Sequence, residues 1–239
     1  MPPKVEIADY KKIAKKHNAT KVEVSVSDEE HKEAMGHLRR ERARIDKIET
    51  GTDAQKAAEE VKALTEADLP ALDDVFVQSL GYESTEKFSE ALRTNIKNEK
   101  EMQAKEKNRA GILDDLVKDS KINYPASLRE FEIGDMEARL ADDLSRMGMT
   151  MDGYLTQVKK TREQLHTEWK EPADKRAKVR LVLAEIARLE KIEPDEKELE
   201  HQMEHAKKHY PAADSGALRA HIAHAMRNDA TLQFLENLA

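Results

Sequence analysis

Apolar residues along this chain recur mostly at spacings of three and four, the period of one helical face, with only two short stretches alternating in the manner of a strand. The alternating stretches are residues 3–7 (Val5, Ile7) and 21–26 (Val22, Val24, Val26), read as two short strands or extended segments. Ser27 with Glu30 three residues on spells a capping box. It opens a helix running to about Glu49, with Ala34, Leu38, Ile45 and Ile48 along its apolar side. Residues 50–53 break it, and an Ala-rich helix follows through Leu64. Asp73 and Asp74 open a small helix that Gly81 stops. Ser84 or Thr85 caps a helix reaching Lys118, with stripes at Phe88, Leu92 and Ile96 and at Leu113, Leu116 and Val117. Between the stripes, residues 97–109 are charged or polar apart from Met102 and Ala104, as a solvent-flanked section would be.

Pro125 suits a first helical turn, and Ile133, Met136, Leu140, Leu144 and Met147 follow at helical spacing to the stop at Gly148. Thr150 caps a short helix with Tyr154, Leu155 and Val158. Thr161 with Gln164 makes a second capping box, opening a helix to about Lys191 that Pro172 should kink or split. Val179, Leu181, Val182, Leu183, Ile186 and Leu189 mark it as the best-buried element. Leu199, Met203 and Tyr210 belong to the next helix. Residues 211–216 form a turn, and two final helices carry Leu218, Ile222 and Met226, then Leu232, Phe234, Leu235 and Leu238. Short connections make two helical hairpins, at about 125–190 and 195–227.

Composition sharpens this picture. The 239 residues are 38% hydrophobic, 37% charged and 4% aromatic, with eight Gly and seven Pro. So much charge on long helices means a small buried stripe and an extended helical body. Disorder shares that composition, but 41 basic residues nearly balance 48 acidic ones and the apolar residues keep helical register. A formal charge of −7 argues against nucleic acid as a partner. Cysteine is absent, no stretch of 18 apolar residues occurs, and no leader follows Met1, so the expected location is the cytoplasm without membrane contact.

Catalytic motifs fail on inspection. Gly148 and Gly153 have phosphate-loop spacing, but Tyr154 and Leu155 stand where Lys and Ser/Thr are needed. Residues 201–205 read H-x-x-E-H, an inverted zinc-protease motif, without a third ligand. The sequence reads as a non-enzyme with no cofactor and no metal. Its distinctive feature is methionine, nine in all, with Met147, Met149 and Met151 clustered at a hairpin tip. Flexible thioethers suit a surface that accepts varied apolar shapes, although Met136 and Met147 also fit an ordinary core.

Residues 69–76 (LPALDDVF), 80–82 (LGY), 112–117 (ILDDLV), 124–130 (YPASLRE), 149–155 (MTMDGYL), 161–165 (TREQL), 173–190 and 232–239 stand in the order of corresponding segments in bacterial trigger factor. The chain resembles the C-terminal chaperone domain of that family. Residues 3–10 and the helix from Ser27 resemble the family's connecting segment. The ribosome-docking signature does not occur, and between Glu49 and Val61 stands a short stretch where the family carries its isomerase domain. Ribosome docking and proline isomerisation are therefore not expected of these residues.

The resemblance implies a mainly α fold with an extended body and two projecting helical-hairpin arms, related to periplasmic SurA-type chaperones. Residues 1–60 would be the connecting segment and 61–239 the substrate-binding domain, with arms at about 125–190 and 195–227. It implies an ATP-independent chaperone for unfolded or nascent polypeptides, with weak self-association left open. The expected contacts are Met147, Met149, Met151, Tyr154, Ile222, Met226, Phe234 and Leu235. The competing reading is a helical scaffold that binds one folded partner.

Overall fold

A computed structural model describes residues 3–20, 24–211 and 213–239. Among them are eleven helices and a two-stranded ribbon, so the protein is mainly α. The chain divides into two compact units, residues 22–106 and residues 1–21 with 107–239.

In the first unit, α2 (Asp28–Glu49) begins at the anticipated capping box, with Ser27 accepting from the Glu30 N–H and Glu30 accepting from the Ser27 N–H. α3 (Ala54–Lys62) packs on α2, and α4 (Asp74–Ser79) and the start of α5 (Thr85–Asp119) complete the unit. The buried face of α2 is not the expected stripe. Its buried residues are Gly36 and Ala43, while Ile45 and Ile48 are 41% and 37% exposed. Small side chains on that face let the 54–69 segment come close, so Ala43 packs with Val61 and Leu69. A second cluster joins Leu72, Val77 and Phe88, with Met35, Leu38, Phe76 and Tyr82 against it. Arg39 ties this layer together by donating to the carbonyls of Pro70, Leu69 and Glu66.

In the second unit, β1 (Lys4–Glu6) pairs antiparallel with β2 (Lys121–Asn123), Val5 opposite Ile122. Of the two alternating stretches only the first is a strand: Lys21, Val22 and Glu23 lie outside the described residues, Val24–Val26 form no strand, and the partner of β1 comes from beyond α5. α1 (Tyr10–Asn18) is fixed by Asn18, whose side chain donates to the carbonyls of Leu235 and Leu238 at 2.9 and 2.8 Å. Tyr10 donates to Glu190 at 2.6 Å, and burial with that carboxylate pushes its phenol up to about 12.

α6 (Ala126–Arg146) packs along α9 (Lys170–Glu190), with α7 (Met151–Val158) and α8 (Arg162–Glu168) between them in sequence. α9 is rich in buried residues, with Ala173, Ala177, Val182, Leu183, Ile186 and Ala187 inside. Of the expected run Val182, Leu183 and Ile186 are buried, Val179 and Leu181 are half-buried, and Leu189, 44% exposed, is corrected to surface. The anticipated break falls at Trp169, just ahead of Pro172. That places Pro172 in the first turn of α9, where its missing N–H has no helical acceptor to lose.

α10 (Glu196–His209) packs on α11 (Ser215–Glu236). The two expected terminal helices are one. No Gly or Pro interrupts residues 217–236, and buried Thr231 turns its hydroxyl onto the Arg227 carbonyl of its own helix. The core of this unit joins Ala14, Ile112, Leu116, Val182, Leu183, Ile186 and Leu235.

Candidate apolar binding surface

The end of α6 is built by backbone geometry. Gly148 takes φ +70°, a conformation that costs a side-chain-bearing residue strain, and the Met149 N–H reaches back to the Leu144 carbonyl at 2.8 Å. Thr150 then accepts from the Gly153 N–H at 3.2 Å and starts α7. On either side of this reversal Leu144 and Leu155 are buried. Met147 is 75% exposed, and Met149, Met151 and Tyr154 are half-buried. Four of the expected contacts therefore lie together at one junction.

The other four divide differently. Ile222 and Met226 are half-buried, one turn apart on α11. Phe234 packs against the core. Leu235 is 1% exposed and belongs to the core, which corrects its place among the contacts. Helical spacing gave all four the same appearance; the docking of α1 and α9 covers the face that carries Leu235.

Phe131 was not anticipated. It is 58% exposed on α6, with the Arg180 guanidinium 5.2 Å from its ring centroid. A cation over the face leaves the rest of the ring free for an apolar partner. The signal was present in the sequence, since Phe131 falls outside the stripe through Ile133, Met136, Leu140 and Leu144.

Charged pairs join α6 to α9 near Phe131. Glu132, 1% exposed, meets Arg180 at 2.7 Å and Arg176 at 3.2 Å, and Arg176 also meets Asp135 at 2.7 Å. Tyr124 donates to Asp174, and burial together with that carboxylate pushes the phenol well above its usual range. On α11, burial holds the His224 imidazole below its ordinary value, helped by the nearby charges of Arg180, Arg227 and His221. Such pairs hold helices in register while the apolar residues face outward.

Among the described residues no group of three or more His, Cys, Asp or Glu is arranged to hold a metal. Among the same residues no helix is long and apolar enough to cross a membrane.

Residues 84–235 match the family described as bacterial trigger factor protein C-terminus. The trigger factor of Caldicellulosiruptor bescii is 29% identical over 151 residues, covering 63% of this chain and 34% of the relative. That of Trichodesmium erythraeum is 30% identical over 179 residues, covering 74% and 36%. A solved trigger factor chaperone structure aligns over 72% of this chain and 44% of its own, at 20% identity and a TM-score of 0.38. The chain thus matches only about a third of the length of the first two, 34% and 36%. With well over half of its residues inside the matched region, this chain belongs to the bacterial trigger factor C-terminal family.

Proposed function

We propose that this chain is an ATP-independent chaperone that holds unfolded or nascent polypeptides through exposed apolar patches on charged helices, in the cytoplasm. The observation that carries this reading is Met147, 75% exposed at the reversal between α6 and α7, with Phe131 58% exposed on α6 itself. A client that has not folded exposes side chains of the same kind. Fully burying one such side chain is worth about 1.5–3 kcal/mol, so one patch holds weakly and several together hold well. Weak single sites also allow release without hydrolysis.

The binding residues in this reading are Met147, Met149, Met151, Tyr154 and Phe131, with Ile222 and Met226 as a second patch. Residues 61–239 supply the substrate-binding part, with arms at about 125–190 and 195–227. The net charge of −7 keeps a loaded complex soluble and disfavours nucleic acid.

The test is aggregation of a chemically denatured enzyme diluted into buffer with and without the full chain. Protection should occur without nucleotide and be unchanged by ATP. Met147→Asp with Phe131→Ser should lose protection with only a small fall in the unfolding midpoint, because Met147 is 75% exposed and Phe131, 58% exposed, gives up mainly its contact with Arg180. Full protection by the double variant would remove both side chains from the site. No protection of unrelated denatured proteins, together with one tight folded partner, would favour the scaffold reading.

A further inference from the structure

α10 carries three histidines at intervals of four, His201, His205 and His209. The H-x-x-E-H pattern draws attention to the first two, yet the rings of the second pair stand close. His205 and His209 are exposed, with ring centroids 4.9 Å apart and planes at 49°. His201 lies instead 3.8 Å from Glu198.

We propose that His205 and His209 form a two-imidazole chelate for a divalent transition metal of the zinc, nickel and copper class. The spacing fits. A metal–nitrogen bond of about 2.0–2.1 Å puts the ion about 3.2 Å from each ring centroid. With the centroids 4.9 Å apart, the angle at the metal is then about 100°. That lies between the about 90° of square-planar or octahedral sites and the about 109° of tetrahedral ones. Neutral imidazole is the ligand these ions share, whereas magnesium and calcium take oxygen.

Position adds to the fit. His209 is the last residue of α10, where the helix carries its partial negative charge and favours a cation. Lys207 and Lys208 oppose this in part. Two protein ligands leave the remaining coordination positions to water, so the ion is exchangeable and the site differs from a zinc-protease centre. A bound ion ties together the last turn of α10, directly before the connection to α11.

Titration calorimetry of the full chain with nickel or zinc chloride tests this. One site is expected, weakened about tenfold or more in both His205→Ala and His209→Ala, the scale on which even outer partners of a metal act. His201→Ala should bind as the unaltered chain does. Equal loss in His201→Ala, unchanged binding in either of the other variants, no heat with the unaltered chain, or equal binding of magnesium would each overturn the chelate. In parallel, trace copper should broaden the His205 and His209 imidazole signals in NMR spectra before those of His201; the reverse order would also count against it.

Discussion

Arg180 on α9 holds its Nε 2.7 Å from Oε1 of Glu132 on α6, and that carboxylate is only 1% exposed. A buried charge needs its partners, and here the second guanidinium, Arg176, lies 3.2 Å from the other carboxylate oxygen. The pairing fixes how α6 lies along α9, and so where Phe131 and the methionine junction face. Removing one member of a buried pair costs about 3–5 kcal/mol. Both arginines are about one third exposed, which softens the loss. Glu132→Ala should therefore lower stability by about 2–3 kcal/mol, read as a fall in the urea midpoint. A variant with an unchanged midpoint would mean that the pair does not fix this packing.

His224 should give the protein a pH-dependent stability. Burial, then Arg180, Arg227 and His221, lower its folded value. The unfolded chain then binds the proton more readily, so stability is full above the ordinary histidine value of about 6.5 and falls as pH drops through the folded value. The Asn228 amide nitrogen, 3.2 Å from Nε2, can only donate there and favours the neutral ring. Unfolding midpoints at pH 7.5 and 5.5 should differ less in His224→Gln than in the unaltered chain. An equal difference would place the acid sensitivity elsewhere.

Gly111 marks a close approach between α1 and α5. A Cβ there would sit 2.8 Å from His17 Cε1 and 3.0 Å from its Nδ1, while His17 Nε2 lies 2.9 Å from Asp115. Gly111→Ala gains about 0.5–1 kcal/mol of helix preference but meets an overpacking cost of about 1–3 kcal/mol. A net loss of about 1 kcal/mol is expected. Adding His17→Ala should recover part of it, and strictly additive effects in the double variant would show that the two positions do not collide.

Ser27 closes both halves of the capping box at the start of α2. Ser27→Ala should cost about 1 kcal/mol, seen as faster hydrogen exchange at the Glu30 amide, which loses its acceptor. Unaltered exchange there would indicate that another group takes over the cap.

Much of this protein was legible in local pattern. The capping boxes at Ser27 and Thr161, the stop at Gly148 and the buried run in α9 depend on neighbours within a few residues, and the chain states these directly. The methionine junction was legible for the same reason, because it lies at a reversal between two short-range signals. Tertiary structure decided which apolar face meets what. Periodicity gives a stripe without naming its cover, so Ile45 and Ile48 read like core and lie exposed, while Leu235 reads like surface and is buried. The pairing of β1 with residues more than a hundred positions away, the burial of Glu132 between two arginines and the meeting of His17 with Gly111 all join distant segments. Docking of whole helices determines them, and local spacing carries no record of it.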